Sequence, residues 1–434
     1  MKRTAPPETG SDETRSAELG RRALFTPRLS SVLNRNLSNG LWSFLGISLL
    51  FDSGMFIFFL LYNLYLLDLG FREDFLGWIA SAVALGNIVG SLPGGIFAYR
   101  VGLRKALLVC LCIVPVISAS RAIATSSFWL LVLGFIGGVG LSLWGVLEPP
   151  VISQVTNDEN RASGFSVVFA AGISFGVIGG LVGGYLPRLL SFVGVGHGGG
   201  TAKRAALLFA CGMSALALWP ASRLRFQTGP RPMRKHYPRN AFVLRFFPAL
   251  AIWSFATGVF GPFFNAYFSR RLHMSVEHIG EVFAAAQLTQ VVAILVAPFM
   301  FRQFGLITGI AYSQVACGLC LCWLALSGNG WLSAAAYAAY TAFHWMSEPG
   351  MYTLLMTKVH EGDRAGASAV NLLVISGARA LAAALGGVAF TKFGYPVIMI
   401  VTAVGICFAG YVFRVLLATD SPDTPIRIEE RQSA

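Results

Sequence analysis

Apolar stretches of about twenty residues recur twelve times along this chain. A helix rises about 1.5 Å per residue, so each stretch can cross a hydrocarbon layer of about 30 Å. The first six run over about 41–66, 75–98, 106–124, 128–155, 164–187 and 204–222. The second six run over about 246–269, 279–301, 307–327, 331–356, 365–390 and 395–417. That is far more apolar sequence than one soluble core can bury. The charge content agrees, at 12% with a mean hydropathy of +0.65, where a soluble domain carries about 25%. Within lipid every backbone polar group must be paired internally, so spans are helices or a closed barrel. The stretches lack a barrel's polar–apolar alternation. The expected fold is an all-α membrane protein with twelve transmembrane helices in a lipid bilayer.

The net charge of +13 could suggest nucleic acid, but its distribution argues against that. If the amino terminus is cytoplasmic, 24 of the 33 Lys and Arg lie on that side and eight on the other. Arg379 falls within a span and completes the count. The asymmetry places both termini inside, in what is expected to be a bacterial inner (plasma) membrane. The expected organisation is a disordered cytoplasmic tail over 1–40, a six-helix bundle over 41–222 and a basic cytoplasmic linker over 223–245. A second bundle over 246–418 and a tail over 419–434 complete it. The seven cysteines all lie in apolar spans, so Cys317-x-x-Cys320 reads as packing and no metal is expected. No phosphate-binding Gly-x-x-x-x-Gly-Lys-Ser/Thr is present, so direct ATP drive is not expected, and no cofactor is expected either.

The two halves repeat at an offset of 200 to 203 residues. Asn63-Leu-Tyr65 falls on Asn265-Ala-Tyr267, Gly77 on Gly280 and Gly102 on Gly305. Glu148-Pro149 falls on Glu348-Pro349, and Arg161-Ala162 on Arg364-Ala365. Such repeats mark secondary transporters, whose site lies between them near mid-membrane. After the second span the chain reads Gly95-Ile-Phe-Ala-Tyr99-Arg100-Val-Gly102-Leu-Arg104-Lys105. With its twelve spans, repeat, basic middle loop and this segment, the chain resembles the major facilitator superfamily over about 41–418. The resemblance implies a cytoplasmic gate at Gly95, Arg100, Gly102, Arg104 and Lys105, with Arg161 and Arg364 at the equivalent later loops. It departs at Tyr99, where the family carries an aspartate that helps latch the gate. Span five, Gly172-Ile-Ser-Phe-Gly176-Val177-Ile-Gly179-Gly180, resembles the family's antiporter pattern with Val177 in place of proline. Close helix packing by small residues reads the same glycines equally well.

Charges in lipid are costly unless they face a partner or a wet cavity, which makes them candidates for function. Asp52 lies near mid-depth in span one, and Asn63, eleven residues on, shares its helical face. The matching face of span seven carries Asn265. The resemblance implies that spans one, four, seven and ten line the central cavity, where Asp52 could exchange protons or touch solute. Span ten carries a continuous polar face of Tyr337, Thr341, His344 and Glu348, at steps of 4, 3 and 4. Glu148 and Glu348 each precede proline, which frees carbonyls and allows a bend. They read either as a pathway pair or as latches to Arg100, Arg161 or Arg364. Arg379, mid-span, requires an acidic partner, with Glu348 preferred, or an anionic solute. Gln287 and Gln290 are weaker candidates.

The expected protein is not an enzyme. It is a secondary active transporter of a small organic solute by alternating access, coupled to protons, with export favoured over uptake. A transporter-fold membrane sensor or scaffold without transport is the alternative, and a passive channel a third reading.

Overall fold

The computed structural model describes residues 39–156, 161–195, 199–224, 241–360 and 363–418. The expectations for the two tails and for most of the central linker fall outside the described residues. Twelve membrane-length helical segments are present, with no strand among the described residues. The first bundle holds α1 (Asn39–Asp68), α2 (Glu73–Val101), α3 (Leu103–Ile123), α4 (Ser127–Val155), α5 (Arg161–Phe192) and α6 (Gly199–Leu216, continued by Leu218–Arg223). The second bundle begins with α7 (Ala241–Phe260), which passes through a 3-10 turn at Gly261–Phe263 into Phe264–Arg270. It continues with α8 (Val276–Phe304), α9 (Leu306–Leu326), α10 (Gly330–Lys358), α11 (Arg364–Phe393) and α12 (Tyr395–Ala418). Helix α7 starts five residues earlier than its apolar run, at Ala241, and carries Arg245 in its first turns.

Eleven of these segments are long and apolar enough to cross a membrane. The twelfth, α10, has 29 residues and is long enough, but its polar face lowers its hydropathy. That face must therefore look inward, since lipid offers it no partner. Local signals set the helix ends. Asn329 caps α10 by accepting from the amides of Trp331 and Leu332, and Ser275 caps α8 by accepting from His278. The turns into α3 and α9 are made by Gly102 and Gly305, at φ 92° and 82°, a region that costs a β-carbon strain. They are repeat equivalents, so the duplication is visible in backbone shape.

It is visible in side chains as well. The last carbonyls of a helix have no partner within it. Tyr65 donates its hydroxyl to the Ala122 carbonyl in the last turn of α3 at 2.9 Å. Tyr267 donates to the Leu324 carbonyl in the last turn of α9 at 2.8 Å. The two contacts match at an offset of 202 residues, and both tyrosines are almost fully buried.

Candidate functional site

The two bundles are joined at the face away from the chain ends. Asn63 of α1 donates to the Pro262 carbonyl at 2.7 Å and to Asn265 Oδ1 at 3.3 Å, while Asn265 donates to the Leu60 carbonyl at 2.9 Å. Leu60 and Pro262 are repeat equivalents, so each asparagine reaches the carbonyl three residues before the other. Proline has no amide hydrogen, and the 3-10 turn around Pro262 breaks the regular helix where its carbonyl accepts. The side-chain amides join the two helices as a reciprocal clasp. Nearby, Tyr395 donates to Glu73 at 3.2 Å, and Arg270 lies 3.9 Å from the same carboxylate.

Two further seams flank the clasp. Ser81 of α2 donates to the Ala380 carbonyl of α11, and Gly77 packs against Ala383 and Gly387. On α5, Gly176, Gly180 and Gly184 lie against α8, while Gly179 and Gly183 lie against α1. A β-carbon at Gly280 would stand 2.5 Å from the Gly180 carbonyl oxygen. Three of the antiporter-like segment's four glycines, all but Gly172, meet neighbouring atoms and so serve close helix approach. Tyr185 hydrogen-bonds Glu281 at the end of this seam. Toward the other face, Gly90 and Gly94 of α2 pack on Ser142 and Leu143 of α4 in the same bundle. Among the described residues α4 and α10 form no packed interface with each other. The described contacts between the bundles therefore lie toward the face away from Asn39 and Ala418, where the described helices begin and end.

Between the faces lies a charged cluster on the second bundle. Arg379 of α11 donates to Glu348 of α10 at 3.2 Å, and His344 Nε2 lies 3.8 Å from the same carboxylate oxygen. Gly258 of α7 brings Arg379 into reach, because a β-carbon there would meet the Arg379 Cα at 3.0 Å. The His344 ring stacks on Trp253 of α7, 5.5 Å between centroids and 21° apart in plane. His344 Nδ1 and Trp253 Nε1 are both buried without partners among the described residues. Glu348 and Arg379 are only partly buried, so their charges remain accessible.

The rest of the polar face of α10 serves packing. Tyr337 is buried among Phe260, Phe264 and Phe268, and Thr341 returns its hydroxyl to the Ala338 carbonyl of its own helix. On the first bundle, Asp52 of α1 and Glu148 of α4 are half-buried and lie within electrostatic range of each other. Gln287 and Gln290 are buried on α8, with the Gln287 amide against Gly176.

The expected arginine latch at Glu348 is not formed. Glu348 takes the nearer Arg379, while Arg364 donates to the Met356 carbonyl and is exposed. Arg100 and Lys105 are exposed, as is Tyr99. Arg104 donates to the Ser222 carbonyl at the end of α6, tying the loop to its own bundle. Gly95 faces Val146 of α4. The side chain of Arg161 lies outside the described residues. Sequence reasoning passed over Arg121, in the last turn of α3, which is only 4% exposed and sits over the rings of Tyr62 and Phe58. Its place beside a span end marked it as a loop charge. The one signal available was its position one helical turn inside that end.

The family model described as Major Facilitator Superfamily matches residues 42–374 and 246–433. No curated protein matches the sequence. Among solved structures, a bacterial homologue of the human lysosomal transporter Spinster, in an inward-facing and occupied conformation, aligns with a TM-score of 0.71 at 16% identity. It covers 87% of this chain and 96% of that one. The nucleoside transporter NupG aligns with a TM-score of 0.70 at 14% identity, over 87% of this chain and 99% of that one. A bacterial metal transporter aligns with a TM-score of 0.64 at 14% identity, over 88% and 99%. At these identities the likeness is one of fold.

Proposed function

The chain belongs to the Major Facilitator Superfamily, and from that premise we propose that it is a secondary active transporter of a small organic solute, coupled to protons. The observation that carries the reading is the partly exposed Glu348–Arg379 ion pair of the second bundle, in a molecule whose two bundles are clasped through Asn63 and Asn265. Alternating access needs a site between repeats and a closure that can change sides. The clasp supplies the closure, and the partly exposed ion pair supplies a site.

The chemistry follows from the charges. A proton on Glu348 removes the negative charge facing Arg379 and frees the guanidinium for an anion or for movement of α11. His344 Nε2 lies 3.8 Å from the same carboxylate oxygen. Asp52 and Glu148 form the second acidic station on the opposite bundle. With the ion pair broken the second bundle rocks against the first, Glu348 gives its proton to the solution on the other side, and the Glu348–Arg379 pair re-forms. The charge asymmetry of the loops supports cytoplasmic chain termini, and on that orientation the present state faces inward. Export is favoured by the α5 resemblance.

The test is proton release or uptake by the purified protein in detergent on addition of organic anions, sugars and amphipathic cations, beside Glu348→Gln and Asp52→Asn. A solute-dependent proton signal that vanishes in either variant supports the reading. A signal of full size in both variants overturns these carboxylates as the carriers. Solute flux in vesicles without any proton dependence overturns the coupling.

A further inference from the structure

We infer that the cavity beside the asparagine clasp binds the carboxylate of a small organic monoanion through Arg121. The cavity is about 290 Å3 and is lined by Phe59, Tyr62, Asn63, Ile79, Arg121 and Phe264, among others. That volume suits a compact solute rather than a sugar polymer or lipid. Its walls come from α1, α2, α3 and α7, so a ligand here touches both bundles.

Arg121 is the reason for an anion. A guanidinium stays charged in a protein, so burial cannot be relieved by losing its proton. An arginine in the last turn of a span ordinarily extends its stem toward water. Here the side chain turns inward instead. It is 4% exposed, and its guanidinium carbon lies 4.2 Å from the Tyr62 ring centroid and 5.3 Å from that of Phe58. Its Nε is buried without a partner among the described residues, and no acidic side chain among them pairs with it. Ring faces offset only part of the desolvation of such a charge. A carboxylate in the cavity supplies the missing partner, and two parallel N–H donors fit its two oxygens.

The remaining walls define the rest of the ligand. The Tyr62 hydroxyl is buried and unpartnered, so it is free to donate to the same carboxylate. Phe59, Ile79 and Phe264 offer apolar and aromatic surface for the body. The repeat argues against a scaffold role. At the offset of 202 that relates Tyr65–Ala122 to Tyr267–Leu324, the counterpart of Arg121 is Trp323, which is exposed, and that of Tyr62 is Phe264. The duplicated frame closes without a guanidinium in the second half.

This inference deepens the transport reading by naming a substrate class, but its test needs no transport. Binding of benzoate and of phenylacetate to the purified full-length protein is measured by calorimetry, beside benzamide and sodium chloride. Benzoate or phenylacetate is expected to bind, with benzamide weaker by tenfold or more. Arg121→Met is expected to lose tenfold or more, Arg121→Lys less, and Tyr62→Phe a few-fold. Absence of both carboxylates from the wild-type protein overturns the inference. So does equal binding of benzamide, full displacement by chloride (a halide site only), or undiminished binding to Arg121→Met. Should Arg121→Met fail to fold, benzoate affinity unaltered in both Arg121→Lys and Tyr62→Phe overturns it equally. The two failures are distinguishable, because carboxylate binding is read by calorimetry through Arg121→Met and the proton signal is read through Glu348→Gln.

Discussion

The asparagine clasp makes a quantitative prediction. Asn63→Ala removes a bond to the Pro262 carbonyl and the bond shared with Asn265, while Asn265→Ala removes a bond to the Leu60 carbonyl and the same shared bond. A net hydrogen bond contributes about 0.5–1.5 kcal/mol, so each variant loses roughly 1–3 kcal/mol of closure. The bonds cross between bundles, so that loss falls on the closed state and leaves the state open at this face untouched. The equilibrium then shifts toward opening by about 5- to 150-fold. The shared bond is long, so coupling in a double-mutant cycle should lie near 0.5 kcal/mol. Spin labels at Leu69 and Arg271, exposed on the α1–α2 and α7–α8 connections, report the opening as a longer distance component in pulsed dipolar spectroscopy. The pseudo-two-fold geometry demands that both single variants populate that component to a similar degree. A distance distribution unchanged in either variant refutes the clasp. Single-variant effects differing by more than about 1 kcal/mol refute its reciprocity.

Further outcomes follow from the same geometry. Gly280→Val places side-chain atoms where the Gly180 carbonyl and Gly184 Cα already sit, forcing α5 and α8 apart at a cost of about 1–3 kcal/mol. It should lower the yield of cysteine cross-linking between positions 185 and 281. Tyr65→Phe and Tyr267→Phe each strand one carbonyl at a helix end. Each should destabilise the protein by about 1 kcal/mol, with similar falls in thermal unfolding midpoint. Glu348→Gln leaves Arg379 without its carboxylate. The variant should lose the solute-dependent proton signal while remaining folded by circular dichroism.

Spacing carried most of what could be read in the sequence. Span count and helical class follow from run length, and the duplication from five aligned pairs. The Arg379–Glu348 pair was legible because an ion in lipid must find a partner, and few were on offer. The polar face of α10 was legible too, although only its inner half, His344 and Glu348, joins the charged cluster. What escaped were relations that no single span encodes. Asn63 and Asn265 line a cavity as polar groups, but that their amides also clasp the two bundles could be seen only once both helices were placed. The loop-arginine latch assumed that Glu348 faces the connection, whereas the approach of α11 allowed by Gly258 brings Arg379 in first. Arg121 escaped because a basic residue near a span end is ordinarily a surface anchor, and only its inward rotamer shows otherwise.

The duplication separates structural residues from chemical ones. The matched features are the clasp asparagines, the tyrosines on helix-end carbonyls and the positive-φ glycines at 102 and 305. All of them set helix geometry or hold the bundles together, and any transporter built this way needs them in both halves. Glu148 and Glu348 are matched and charged, and the unmatched features add further charge. Asp52 corresponds to Ser254, His344 to Ser142 and Arg121 to Trp323 at the offset of 202, while Arg379 falls on Val177. The first bundle thus brings two carboxylates to the seam, and the second brings a carboxylate, a guanidinium and an imidazole. A symmetric site would present the same field from each half and hold a solute equally in the two orientations related by the two-fold. The unequal charges give the cavity a direction, which is what the proposed cycle requires of it.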